Sequence, residues 1–182
     1  MFNKYKYSIT YGTIVVVALV AVFIWGNLDG LDLTNMGAET ELTVKLIIDC
    51  STIHNNMDRL KSGKAEFVPR DGGALLVIES AVFYEGESVF DVLLREAGAH
   101  SMHMEFVDIP ADNSAYIEGI GNIYEFDCGE GSGWMYSVNG GFPDYSSSWY
   151  TLSRGDVIRW LYTCDRGADI GGGDAAGFYG FG

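Results

Sequence analysis

Three cysteines, Cys50, Cys128 and Cys164, each stand beside an aspartate: Asp49, Asp127 and Asp165. Thiolates and carboxylates are both metal ligands, and three thiolates completed by a carboxylate or water would hold a metal ion. The same residues also read as one disulfide with a spare thiol. No Cys-x-x-Cys spacing supports zinc, which weights the pattern toward the disulfide, while the odd number of thiols keeps the metal reading open.

A second group of residues suits binding. Residues 116–145 read YIEGIGNIYEFDCGEGSGWMYSVNGGFPDY. Apolar and polar residues alternate, the pattern breaks at glycine, and a short strand then places Trp134 and Tyr136 on one face and Met135 on the other. Tyr124, Phe126, Phe142, Tyr145, Trp149 and Tyr150 add to the aromatic density. Half of these rings must enter a core, and the remainder, next to glycine-rich turns, would form an apolar platform for a planar ligand.

Signatures of catalysis are missing. The segment around Ser132 lacks a G-x-S-x-G elbow, and GEGSG opens no helix and carries no lysine, so it is no phosphate loop. His54, His100 and His103 are scattered, and Asp165, Asp169 and Asp174 do not match an EF-hand spacing. Arg154-Gly155-Asp156 spells an integrin-recognition tripeptide, but a turn before a strand calls for the same residues. The expectation is a protein that is not an enzyme.

The elements that must position these groups follow from periodicity. Glu41 to Ile48 alternates with β-branched residues and predicts a strand, as does 74–84 after the Asp71-Gly72-Gly73 turn. Ser88 is an N-cap for VFDVLLREAG, with Val89, Phe90, Leu93, Leu94 and Ala97 predicted on one helix face and Gly98 closing the end. Strand character returns at 103–109, 115–127, 133–138 and 157–162, with a hairpin-type turn at Asn139-Gly140-Gly141. One helix across a small mixed sheet predicts an α+β fold of the β-grasp kind, its first and last strands paired in parallel at the centre. Cys50 and Cys164 would then emerge at the same end.

From Tyr7 to Leu28 there is no charged residue, enough for a helix across the hydrocarbon layer. Lys4 and Lys6 precede it and Asp29 and Asp32 follow, so the positive-inside rule orients the chain outward. The alternative is a cleaved signal peptide, against which stands the lack of a small-x-small site after Trp25. The favoured organisation is a cytoplasmic N-terminus over 1–8, a signal anchor over 9–28, a spacer over 29–40, a domain over 41–170 and a glycine-rich flexible tail over 171–182. The expected location is the cell membrane, single-pass, with the C-terminal domain extracellular. Beyond the anchor, 9 basic residues face 25 acidic ones, which argues against nucleic-acid binding.

The segments LTVKLIIDCSTI, GESVFDVLLREAG, YIEGIGNIYEFDCGEGSGWMYSVNGGFP and TLSRGDVIRWLYTCDRGADIG resemble the bacterial transcobalamin-C-terminal-like family, a domain of unknown function. The resemblance runs from about Leu42 to Gly171. It implies a β-grasp-like fold and kinship with the smaller β-domain of cobalamin carriers, which covers one face of the corrin. Trp134, Tyr136, Ser137, Val138, Asn139, Gly140 and Phe142 would then face the ligand. Many bacterial relatives are surface proteins of Gram-positive organisms. Relatives often carry two further cysteines where this chain has Ala97 and Ser147.

Three functions are carried forward. The first is a membrane-anchored binding module for cobalamin, another corrinoid or a similar flat ligand, with a transporter as a partner. The second is a metal-binding surface protein using the Cys/Asp cluster. The third is a structural or adhesive cell-surface domain without a small ligand.

Overall fold

The computed structural model describes residues 41–179. The anchor and spacer expected over 1–40 lie outside the described residues, among which no helix is long and apolar enough to cross a membrane. The described part is α+β, built mostly from strands.

Strand β1 (Leu42–Asp49) buries Val44, Leu46 and Ile48 on one face, the outcome of a period-2 pattern in an extended chain. It pairs antiparallel with β2 (Ala74–Phe83) and parallel with β7 (Val157–Thr163). Strand β6 (Gly133–Val138) adds antiparallel to β7, giving the order β2-β1-β7-β6. The first and last strands therefore do pair in parallel at the centre. Strands β3 (Met104–Ile109), β4 (Ser114–Ile120) and β5 (Ile123–Tyr124) form a second antiparallel sheet.

Helix α1 (Val89–Ala99) starts at Ser88 in a reciprocal capping box: the Asp91 amide donates to Ser88 Oγ at 3.2 Å and the Ser88 amide to Asp91 Oδ2 at 2.8 Å. Its buried residues are Val89, Val92, Leu93 and Ala97, whereas Leu94 points outward. The buried stripe is thus rotated toward Val92 and away from Leu94, with Phe90 partly buried against the core at its edge. Gly98 does not end the helix. Ser101 takes the left-handed position (φ 53°), and the Met102 amide reaches back to Ala97 O at 2.8 Å.

The strand expected over 115–127 is also interrupted. Gly121 and Asn122, both at positive φ, make a two-residue turn that sets Ile120 opposite Ile123. One face of the four-stranded sheet, α1 and β4 enclose the core, to which Leu46, Ile48, Leu93, Ile117, Tyr136, Ile158 and Trp160 all belong. Residues 171–179, read from composition as a tail, include a 3-10 turn (Gly173–Ala175) and bury Ala175 and Tyr179 in that core.

Candidate binding recess

A recess of about 170 Å³ lies where the two sheets meet the C-terminal segment. Tyr116 and Ile117 of β4, Trp134 and Tyr136 of β6, and Trp160 of β7 border it, with Trp149 from the preceding loop and Phe178 and Tyr179 from the C-terminus. Alternation explains the placement. Trp134 and Tyr136 share the core face of β6, and the register sets Tyr136 against Trp160 on the same face of β7. Their ring centroids are 5.6 Å apart.

The polar tips of the aromatic residues around the recess are engaged, with one exception. Trp134 Nε1 donates to Ile123 O at 2.8 Å, and Tyr136 OH to Tyr145 O at 2.9 Å. Tyr116 OH donates to Glu125 Oε2, and Tyr179 OH reaches Pro143 O at 3.3 Å. Trp149 Nε1 donates to Asp112 O at 3.0 Å, which holds a ring 48% exposed in place at the mouth. Phe178, 46% exposed, also lines the recess and packs against Tyr179. Trp160 differs: its Nε1 is buried and has no partner among the described residues. A buried N–H without an acceptor costs about 1–3 kcal/mol.

The phenols are held neutral. Burial first, then Tyr179, Tyr145, Tyr150 and Asp144, push Tyr136 well above the ordinary tyrosine range. Burial and the bond to Glu125 do the same for Tyr116, and burial does so for Tyr179. The aromatic walls of the recess therefore carry no charge on these rings.

Of the residues expected to meet a ligand, Trp134 (4% exposed) and Tyr136 (1%) border the recess as buried walls. Ser137 and Val138 are buried and do not line it. Asn139 and Gly140 form an exposed turn with positive φ at both positions, closed by reciprocal bonds between Val138 and Gly141. The Asn139 side chain is already committed, Nδ2 to Asp156 Oδ1 at 2.8 Å and Oδ1 to the Val157 amide at 2.9 Å. Phe142 packs against Gly172, where a Cβ would lie 2.8 Å from the ring. Asp156 of the Arg-Gly-Asp tripeptide is buried and also accepts from the Ser153 amide, a turn role. Trp160 went unrecognised as a site residue, although its place between Ile158 and Tyr162 in the alternating last strand carried the signal.

The three cysteines are free and fully buried. Cys128 Sγ donates to Asn56 O at 3.4 Å and Cys164 Sγ to Thr52 Oγ1 at 3.8 Å, so both thiols meet the 3-10 turn Ser51–Asn56. Burial, followed by Asp49, pushes the Cys50 thiol up to about 12. Burial and then Cys128 raise Cys164 further. The neighbouring carboxylates work elsewhere. Asp49 accepts from the Ser51 amide at 2.6 Å, and Asp165 is exposed. Asp127, 2% exposed, pairs with Lys64 at 3.0 Å and Lys61 at 3.4 Å. Asp169 rather than Asp165 turns in, accepting from the Cys164 amide at 2.8 Å. Among the described residues no group of three or more His, Cys, Asp or Glu side chains is disposed to hold a metal.

Residues 86–163, from the turn before α1 to the end of β7, match the model of a family described as a domain of unknown function (DUF4430). No curated protein matches the chain. Among solved structures, the chain is similar to the crystal structure of haptocorrin in complex with Cbi, at a TM-score of 0.46 and 10% identity. That alignment covers 71% of this chain and 26% of haptocorrin, so the chain spans about a quarter of that protein's length.

Proposed function

We propose that this chain is a binding module for a flat, mostly apolar ligand of the corrinoid kind, received at the mouth of the aromatic recess. The observation that carries the reading is Trp149: a large aromatic ring, half exposed and pinned by its own N–H, bordering a cavity that exposed Phe178 and further rings also line. Exposed aromatics grouped at a concavity are the usual form of a small-molecule site. At about 170 Å³ the cavity is below the roughly 300–1,000 Å³ that encloses a drug-sized ligand. A macrocycle would therefore lie across the mouth, against Trp149 and Phe178, with one substituent in the recess.

A β-grasp reading is supported by the central parallel pair and by the one α-helix among the described residues. The resemblance of the 116–145 stretch to the transcobalamin-C-terminal-like family makes corrinoids the first ligands to try. In this reading the uncharged N-terminal stretch tethers the domain outside the cell membrane, where it passes ligand to a transporter, and no catalytic step is involved.

Native mass spectrometry of the full-length chain with cobinamide and cyanocobalamin tests the proposal. The expected result is a one-to-one adduct that disappears in Trp149→Ala. An adduct equally abundant in that variant would move the site away from the recess.

A further inference from the structure

We propose that Cys128 and Cys164 form a dithiol pair that oxidation closes into a disulfide, with Cys50 left as the spare thiol. The pair lies outside the recess and does not depend on what the recess binds.

Strand register separates the three thiols. Asp49 lies opposite Leu161 in the parallel β1–β7 pair, so Cys50 comes level with Tyr162 and stops short of Cys164. Strands about 4.8 Å apart, with a rise of about 3.3 Å per residue, put the Cα atoms of Cys50 and Cys164 about 8 Å from each other. A disulfide joins Cα atoms within about 7 Å, so the pair expected from strand order is out of reach. Cys50 also turns toward the other neighbour of β1: its amide donates to Gly73 O at 2.6 Å, at the start of β2.

Cys128 approaches from the opposite side of β7. Thr163 pairs with Gly133, which sets Cys164 level with Ser132. Cys128 is bound to that same serine, its amide donating to Ser132 Oγ at 2.9 Å. The Arg166 amide reaches Gly131 O at 2.8 Å and Tyr162 OH reaches Ser132 Oγ at 3.0 Å, so segments 128–132 and 162–166 run side by side. One 3-10 turn, Ser51–Asn56, then receives both sulfurs, Cys128 Sγ at Asn56 O and Cys164 Sγ at Thr52 Oγ1. The two thiols also meet: burial first, then a hydrogen bond with Cys128, raises Cys164. At Cys50 the neighbours that act beside burial are Asp49 and its own backbone, neither of them a thiol.

The oxidant is a low-molecular-weight disulfide. One thiolate of the pair attacks it, forming a mixed disulfide and releasing the first small thiol; the second thiolate then attacks the protein sulfur and releases the other. Two protein thiols are oxidised to one disulfide, the small disulfide is reduced to two thiols, and the protein's two protons pass to the released thiolates. Both sulfurs are fully buried in the finished fold, so the exchange takes place while the chain is folding. The link ties the end of β7 to the loop before β6, at the root of the segment that brings Phe178 and Tyr179 to the recess.

The test reduces the full-length chain in denaturant, refolds it with oxidised and reduced glutathione, and alkylates it in denaturant before digestion and mass spectrometry. Before alkylation the expected product is two hydrogens lighter than the reduced chain. After it, the chain carries an alkyl group at Cys50 alone and yields peptides joined through Cys128 and Cys164. Cys50→Ser is expected to give the same joined peptides, since that thiol takes no part. A dominant link that includes Cys50 would overturn the proposal. So would a chain with native near-ultraviolet circular dichroism in which all three cysteines are alkylated.

Discussion

Tyr136 and Trp160 face each other across the β6–β7 ladder with ring centroids 5.6 Å apart and planes inclined by 37°. One pair therefore serves two purposes: it fills the core and lines the recess. The two tips are treated differently. Tyr136 OH is satisfied by Tyr145 O at 2.9 Å, whereas Trp160 Nε1 is not satisfied by the described protein.

Tyr136→Phe keeps the ring and removes the hydroxyl that ties β6 to the loop carrying Trp149. The expected loss is about 1 kcal/mol of stability, the worth of one net hydrogen bond, plus a share for leaving Tyr145 O without its donor. Denaturant titration reads the change as a lower midpoint at constant slope. A midpoint equal to wild type would mean that the bond adds nothing.

Asn139→Ala removes two bonds, to Asp156 Oδ1 and from the Val157 amide, at a position with φ 53°. A loss of about 2 kcal/mol is expected. Asn139→Gly keeps the left-handed conformation accessible and should lose less. Thermal unfolding of the two variants separates the backbone contribution from the side-chain contribution. Equal losses would assign the whole effect to the side chain.

Ser88→Ala breaks the capping box of α1 and is expected to cost about 1 kcal/mol. Ligand affinity should not change, because α1 contributes no residue to the recess lining. A loss of affinity as large as that of Trp149→Ala would imply that the helix communicates with the site.

Above about pH 9 the fold should weaken. The Cys50 thiol titrates at about 12 in the folded chain against an ordinary value of 9.0, so it is protonated in both states at neutral pH. As pH rises past the ordinary value only the unfolded state loses the proton, and stability declines until the folded thiol also ionises. Cys164, Tyr136 and Tyr162 are raised as well, and burial leads the causes for each, so they act in the same direction. Denaturation midpoints measured from pH 7 to 11 check this, and Cys50→Ser should reduce the slope. A midpoint that does not fall across that range would contradict the buried-thiol description.

The same burial predicts slow thiol chemistry. Iodoacetamide at pH 8 should modify Cys50, Cys128 and Cys164 far more slowly in the native chain than in denaturant, because the thiolate is the nucleophile. Rapid native labelling of Cys50 would show that the turn Ser51–Asn56 opens readily.

The strands were largely legible because alternation is a local property: β1 and β7 each show it within 8 and 7 residues. Their parallel pairing followed from the element order. The break at Gly121-Asn122 was missed although the sequence carries it: Ile120 and Ile123 are three residues apart, out of step with a period of two, and pair across the turn. The site was legible only in part. Trp134 and Tyr136 stand out as aromatics on a short strand, but their burial depends on β7 and the C-terminal segment, both distant in sequence. Adjacency misled at the cysteines, where Asp165 follows Cys164 in the chain yet Asp169 binds its amide. Trp160's unpaired donor could not be read at all, since an absent partner is a property of the assembled core.

The measurement that tests the central claim most directly is a fluorescence titration of the full-length chain with dicyanocobinamide, read by quenching of tryptophan. The account predicts saturable one-to-one quenching that weakens at least tenfold in Trp149→Ala, because a half-exposed ring at the mouth would lose its stacking partner. Quenching that rises linearly without saturation would contradict the account.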